Sequence, residues 1–215
     1  MPIPMPAIAI KATHINNLTD ARYFAVFAEW IGFKLANDDP QALSVANARE
    51  LMGWVSGVRL VGEFGHSPIA HINTVAEALR LDTIEVAQSV DLTGLSPIVS
   101  SVLRCVELSP DTEINALALC LDLHQNTSAA FVFDLSQGGY TAASLPNHPL
   151  WQAGALQRWC SQYRVILQLP FDAATMLPVI DALQPFGIAL TGSDEQQTGL
   201  KTFEELNDLI ELLGY

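Results

Sequence analysis

The sequence predicts an α/β protein with a single, compact (β/α)8 fold, a TIM barrel. Short aliphatic and β-branched runs alternate with longer amphipathic segments eight times, as repeated βα units do. Half of the residues are hydrophobic and 15% are charged, a balance that excludes an intrinsically disordered chain. Because 215 residues are few for two independent domains, we expect one barrel domain over residues 1–215.

The strands are predicted where aliphatic runs lie between turn-forming residues. Such runs suit strands that are buried on both faces of a parallel sheet. In chain order they are Ala7–Ala12, Ile31–Leu35, Gly57–Glu63, Leu81–Ala87, Val102–Leu108, Ala130–Asp134, Arg164–Leu169 and Gly187–Leu190.

Helix signals follow most of these strands. Asn17, Ser44 and Ser67-Pro68 supply a capping side chain or an N1 proline for the first three helices. Between Val86 and Val102 stand mainly turn formers, so the fourth helix is predicted to be short or degenerate. Later periodic segments predict helices over Asp111–His124, Pro149–Gln162, Asp172–Gln184 and Thr202–Leu213.

The loops after the strands are where a barrel of this class places its active site. A doubly wound open sheet is the competing fold. It is disfavoured because Lys11–Asn16 follows the first strand, where a dinucleotide-binding sheet carries a glycine-rich loop.

Charge and composition exclude several classes of function. A formal net charge of −13 gives no basic surface for nucleic acid or for an anionic membrane. The N-terminus lacks the basic region of a signal peptide, and we expect a cytoplasmic protein. Cys105, Cys120 and Cys160 form no CxxC pair, and the histidines are scattered, so we expect no disulfide, no metal and no cofactor.

Several segments resemble phosphoribosylanthranilate isomerase. Residues Ile10–Ala21 read IKATHINNLTDA, against the family's Lys-x-Cys-Gly-Ile-Thr-Asn-x-x-Asp-Ala. Similar matches continue along nearly the whole chain, at Ile31–Phe33, Ser44–Arg49, Leu60–Phe64, Phe133–Ser136 with Gly138-Gly139, and Pro185–Ser193. The resemblance implies a barrel and an Amadori rearrangement in tryptophan biosynthesis, in which an acid protonates the ribose ring oxygen and a thiolate removes a proton from C2′.

The resemblance places the acid on Asp134 and the base on Thr13. An alcohol without an activator does not remove a carbon-bound proton near neutral pH as a thiolate does. His14 stands where the family has glycine, and an imidazole is suited to replace the missing base. The competing interpretations are that Asp134 caps a turn and that His14 is a solvated or capping side chain.

The substrate-holding positions also depart from the family pattern. The arginine that meets the anthranilate carboxylate falls on Gln41. At the end of the fourth strand, the family's Gln-Leu-His-Gly falls on Glu85–Gln88, which reads Glu-Val-Ala-Gln. The glycine loop after the seventh strand reads Gln168–Phe171 here, so part of the phosphate cradle is lost. Thr191, Gly192 and Ser193 are candidates for the remaining anion site, or form an ordinary turn.

Ionisable residues occur late in each of the first six strands. If they point into the barrel they must pair, because an isolated buried charge is costly. They form either an ion-pair layer that fills the barrel or a remodelled polar pocket. The residues are Lys11, Lys34, Glu63, Glu85, Arg104 and Asp134.

Two functions follow from these observations. The first is an isomerase-like barrel with a degenerate active site, a divergent or inactive relative of the tryptophan-biosynthesis enzyme. The second is a genuine isomerase of phosphoribosylanthranilate or another phosphorylated sugar, with Asp134 as acid and a replacement base near Thr13 or His14. In either case we expect a monomer or homodimer whose partner is a small phosphorylated or anionic metabolite, since fold alone does not fix function.

Overall fold

A closed barrel of eight parallel strands forms the centre of the computed structural model. The structure describes residues 8–136, 138–192, 195–197, 200–201 and 203–215. The barrel strands are β1 (Ala9–Thr13), β2 (Trp30–Lys34), β3 (Arg59–Glu63), β4 (Thr83–Ala87), β5 (Ser101–Glu107), β6 (Ala130–Asp134), β7 (Val165–Gln168) and β8 (Gly187–Thr191).

The barrel closes where β8 pairs with β1, in a register that sets Thr13 beside Thr191. All eight predicted strands are confirmed, with ends that shift by at most a few residues. A two-stranded antiparallel sheet, β9 (Glu195–Gln197) and β10 (Leu200–Lys201), follows β8. The carboxyl ends of the eight parallel strands therefore share one mouth, where the candidate residues were expected.

Helices surround most of the barrel. Their bounds are α1 (Leu18–Phe24), α2 (Val45–Met52), α3 (Ile69–Leu79), α4 (Ile114–His124), α5 (Pro149–Gln152), α6 (Ala155–Gln162), α7 (Met176–Leu183) and α8 (Glu204–Leu212). No helix in the described part of the chain is long and apolar enough to cross a bilayer.

Two of the three expected N-caps are confirmed. Asn17 accepts a hydrogen bond from the amide of Asp20, and Ser44 accepts one from the amide of Asn47, so each satisfies an amide of the first helical turn. The prediction for Ser67-Pro68 was wrong. Pro68 is itself the N-cap of α3 and the hydroxyl of Ser67 accepts from the amide of Asn37, so this serine joins two loops instead of capping a helix.

The predicted helix over Pro149–Gln162 is broken in two. Helix α5 ends at Gln152, and Gly154 lies in the left-handed region with φ of 67°. Glycine adopts this conformation without steric cost, and it commonly ends a helix in this way. The break in the helix therefore follows from Gly154. The periodicity of the apolar residues continues across this position and does not indicate the break.

The prediction that the helix between β4 and β5 is degenerate is confirmed. Residues 88–100 are all described, and they form turns without a helix. Arg104 supports this connection from outside the barrel, donating from Nη1 to the carbonyls of Gln88 and Val90, both at 3.1 Å. The expectation that Arg104 belongs to the ionic ring in the barrel was therefore wrong, because its side chain points to the opposite face of β5.

Replacing Arg104 with methionine is expected to destabilise the protein by about 2 kcal/mol, the scale of hydrogen bonds to a charged group. The arginine is 3% exposed. Water therefore has little access to the two carbonyls, and they would lose their donor when the guanidinium group is removed. Urea unfolding of Arg104→Met and Arg104→Lys measures the effect. We expect lysine to restore part of the loss, and an unchanged midpoint in the methionine variant would contradict the assignment.

Apolar side chains fill the lower part of the barrel and the space between the strands and helices. Inside the barrel they include Trp30, Val61, Leu103, Val132 and Ile166, all at most 3% exposed. Two larger clusters pack the helices onto the outer face of the strands. Polar side chains are concentrated above the interior layer, near the mouth.

Candidate functional site

A buried ion cluster lies in the barrel directly above the apolar layer. The ammonium group of Lys11 is 2.5 Å from Oε1 of Glu63 and 2.9 Å from Oε2 of Glu85. Lys11 is fully buried, and the two carboxylates are 5% and 6% exposed. One cation is therefore shared by two anions from neighbouring strands, and we call Lys11, Glu63 and Glu85 the ion cluster.

Gly32 makes room for this cluster. A Cβ atom at Gly32 would overlap the carboxylate of Glu63, which lies across the face of β2. Because Lys11, Thr13 and the His14 amide all bond to Glu63, its carboxylate cannot easily move aside. The carboxylate of Glu63 can therefore occupy its position only because residue 32 of β2 has no side chain.

The hydroxyl of Thr13 is incorporated into the same network. It donates to Oε1 of Glu63 at 2.6 Å and accepts from Nζ of Lys11 at 3.0 Å. Thr13 is fully buried at the end of β1. Its proton and one of its lone pairs are therefore already engaged, and the position at which the resemblance implies a base carries no basic group.

Burial and the shared cation separate the proton affinities of the cluster. Burial lowers the pKa of Lys11, but the charges of Glu63 and Glu85 outweigh it and hold the pKa above its usual range. Burial is the largest single effect on Glu63 and raises its pKa, but the charges of Lys11 and His14 and the hydrogen bonds that the carboxylate accepts together lower the pKa below the ordinary value. For Glu85 burial dominates, raising the pKa to about 7 despite Lys11. These affinities belong to the cluster as a unit.

The carboxylate of Asp134 is held by two neighbours. Oδ1 accepts from the amide of Ser136 at 2.9 Å and from its hydroxyl at 2.5 Å. Oδ2 accepts from Nε2 of Gln168 at 3.0 Å. Asp134 ends β6 at the mouth and is 5% exposed. Its two bonds to Ser136 are those of an aspartate that caps a turn, which is the structural interpretation of this residue. Its position at the end of a strand also suits a group that contacts a ligand.

His14 lies beside the ion cluster on a strained backbone. Its φ of 58° is in the left-handed region, and its amide donates to Oε2 of Glu63. The ring Nε2 is 3.8 Å from the same oxygen, and the side chain is 42% exposed. Burial lowers the pKa of His14 despite the charge of Glu63, so the imidazole is neutral at physiological pH and able to accept a proton.

The expected ring of charges is not continuous. Lys34 is apart from the ion cluster, with Nζ 3.0 Å from Oδ2 of Asp39 and 3.4 Å from Oε1 of Gln41. Gln41 is exposed and bonds to this lysine in the loop after β2. The mouth therefore contains three groups: the ion cluster, the Lys34 contacts, and Asp134 with its two donors.

A cleft of about 620 Å³ opens at the ends of β7 and β8. His14, Ser136 and Gln168 border its inner side, so it adjoins both the ion cluster and Asp134. Thr191 and Gly192 also line it, whereas Ser193 lies outside the described residues. Its other described walls are Leu169, Pro170, Phe171, Ala189, Leu190, Glu204, Glu205, Leu206 and Leu209.

Several site residues were missed in the sequence. Ser136 and Gln168 were noted only as parts of matched segments, yet they hold Asp134. Cys105 packs inside the barrel, where burial, with Glu85 and Asp134, raises the pKa of its thiol well above the usual value. A protonated thiol is a poor base, so Cys105 is not suited to supply the thiolate that the resemblance implies. Its place on a strand with two buried faces gave no sequence signal.

The fold resembles solved phosphoribosylanthranilate isomerases. The enzyme from Thermococcus kodakaraensis matches with a TM-score of 0.75 and 11% identity, over 96% of this chain and 99% of that one. The Thermotoga maritima enzyme gives 0.72 and 18%, over 95% and 97% of the two chains. The Thermus thermophilus enzyme gives 0.69 and 21%, over 96% and 98%.

At these identities the similarity establishes the fold, and the barrel implied by the resemblance is confirmed. No protein-family profile matches the sequence. No curated protein sequence matches it either.

Proposed function

We propose that this protein is a barrel of the phosphoribosylanthranilate isomerase type that no longer catalyses that isomerisation and binds a different small metabolite at the same mouth. The observation that carries the proposal is the hydrogen bonding of the Thr13 hydroxyl. Its hydroxyl donates to Glu63 and accepts from Lys11, so no group at this position takes a proton from carbon.

The surrounding groups support a changed function. Gln41 is exposed and bonded to Lys34, and its neutral amide lacks the charge and fork of an arginine for the substrate carboxylate. Pro170 and Phe171 line the cleft where the resemblance implies a glycine loop, and proline supplies no amide donor for phosphate. Three features therefore differ from the pattern that the resemblance implies: the base, the residue that contacts the substrate carboxylate, and part of the phosphate site. In an isomerase each of them would stabilise the transition state.

Purified protein supplied with phosphoribosylanthranilate tests the proposal. We expect the fluorescence of the substrate to decay no faster with wild type than with Asp134→Asn or with buffer alone. A solved isomerase such as the Thermotoga maritima enzyme serves as the positive control. Turnover at an ordinary enzymatic rate of about 1 s⁻¹ or more, abolished in Asp134→Asn, would refute the loss of activity.

One observation favours a second candidate, a genuine isomerase with Asp134 as acid and His14 as the replacement base. The neutral imidazole of His14 and both partners of Asp134 border the same cleft. A ligand there would lie between a proton acceptor and a carboxyl group. In the turnover assay this candidate requires that His14→Gln abolish a measurable rate while His66→Gln, an exposed histidine outside the cleft lining, leaves it unchanged.

A further inference from the structure

We infer that Glu63 is a positioning residue that holds His14 at the edge of the cleft and transmits to it the protonation state of the ion cluster. The inference concerns the regulation of the mouth and rests on the proposed binding of a metabolite there. The two oxygens of Glu63 have different partners. Oε1 bonds to Lys11 and Thr13 inside the barrel, and Oε2 accepts from the amide of His14 at 3.0 Å. One carboxylate therefore joins the ion cluster to a residue of the cleft wall.

The charges of the ion cluster do not balance when both of its carboxyl groups are ionised. Glu63 and Glu85 are register partners on β3 and β4, and both contact the ammonium group of Lys11. Two carboxylates with one cation leave a net negative charge in a buried site, which is costly, and one bound proton removes it. In agreement, burial raises the pKa of Glu85 to about 7, despite the opposing charge of Lys11. The cluster is thus built to gain or lose one proton near neutral pH.

The groups on the surrounding strands leave this role to Glu85. Burial is the main cause of its raised pKa, and the charges of Glu63 on β3 and Asp134 on β6 add to it. The thiol of Cys105 on β5 faces Glu85 and Asp134, and it stays neutral because burial and these charges raise its pKa well above the usual value. Lys11 on β1 stays charged, since its pKa is held above the usual range.

His14 is placed to respond to this proton. A side chain is disfavoured in the left-handed region, where His14 has a φ of 58°, so the amide bond to Glu63 compensates for an unfavourable backbone. When Glu85 ionises, Lys11 is shared by two full negative charges and neutralises Glu63 less completely. Glu63 then becomes a stronger acceptor for the His14 amide. Loss of the cluster proton therefore holds His14 more firmly at the edge of the cleft.

The imidazole of His14 has further charged neighbours, and it titrates separately from the cluster. Burial lowers the pKa of His14 below its ordinary value. The charges of Glu63 and Asp134 oppose this effect, whereas those of Lys11 and Lys34 add to it. The ring therefore changes its charge at a lower pH than Glu85 does, and the two events can be told apart.

An NMR titration of the isotope-labelled whole chain between about pH 5 and pH 9 tests the inference, with the backbone amide and the ring nitrogens of His14 as the signals. We expect the amide proton of His14 to shift downfield as the pH rises, with a midpoint near the Glu85 pKa of about 7, because a stronger acceptor deshields it. The ring nitrogens should titrate at lower pH. A purely structural contact between Glu63 and His14 would give no amide step near pH 7.

Three variants locate the origin of the step. Glu85→Gln imitates the protonated carboxyl group and should abolish the step near neutral pH. Glu63→Gln should abolish it as well and lower the pKa of His14 further, because the charge of Glu63 raises that pKa. Glu107→Gln, an exposed carboxyl group on β5, is the matched control and should keep the step. Glu85→Gln decides the test alone if Glu63→Gln does not fold.

Two results would overturn the inference: a wild-type His14 amide without a step near neutral pH, or a step of equal size in Glu85→Gln. The proposed function is judged separately, by turnover. A missing step together with no turnover would remove only the coupling between the ion cluster and the cleft. Turnover of phosphoribosylanthranilate would remove the proposed function itself, whether or not the step is present.

Discussion

Lys11→Met is expected to destabilise the barrel by about 3–5 kcal/mol, the usual cost of removing one partner from a buried charge group. The lysine is fully buried and is the cation that Glu63 and Glu85 share. Methionine fills a similar volume, so the loss reflects two buried carboxylates left without a counter-charge. Urea unfolding measured by circular dichroism at pH 7 gives the change in free energy.

Two further variants make this result specific. Lys34→Met removes a partly exposed lysine that pairs with Asp39, and we expect a loss of at most about 1 kcal/mol. Combining Lys11→Met with Glu63→Gln and Glu85→Gln removes all three charges and should recover most of the stability. Equal losses for the two lysine variants, or no recovery in the triple variant, would show that the ion cluster is not a coupled unit.

The second large effect is a dependence of stability on pH that comes from Glu85. Its pKa is raised to about 7 in the folded protein, mainly by burial, from the model-compound value of 4.5. The folded state therefore holds a proton that the unfolded state releases, and this contribution to stability declines as the pH rises from about 4.5 to above 7. Replacing Glu85 by glutamine removes the linkage.

We expect Glu85→Gln to gain stability relative to wild type between pH 5 and pH 8, on the order of 2 kcal/mol. The difference between the two proteins is the quantity to measure. Other groups titrate in the same range, and the lowered pKa of His14 gives wild type an opposite trend. Glu107→Gln, an exposed carboxyl on β5, is the matched control. A difference that does not change with pH would contradict the raised pKa of Glu85.

The strands were predictable because each is a short aliphatic run bounded by turn formers. The direction of side chains within them was not. Both faces of a barrel strand are buried, so the alternation that would assign a residue to one face is missing. Arg104 illustrates this: it is adjacent in sequence to Leu103 and Cys105 of the interior, yet it bonds to loop carbonyls outside the barrel.

The site could be predicted only where it depends on local sequence. Asp134 and Ser136 are two residues apart, and their turn is a familiar local pattern. The sharing of Lys11 by Glu63 and Glu85 depends on the registers of β1 to β4. Glu204 and Glu205 reach the mouth because α8 packs beside the ends of β7 and β8, and no spacing in the sequence encodes that approach.

The backbone at His14 has a consequence for the stability of the barrel mouth. A residue with a side chain in the left-handed region costs roughly 1–2 kcal/mol, and glycine, which the resemblance places at this position, avoids that cost. Glycine at position 14 would therefore relax the backbone, but it would remove the imidazole that lies beside Glu63 at the edge of the cleft. The mouth of the barrel thus contains this side chain at a cost in stability.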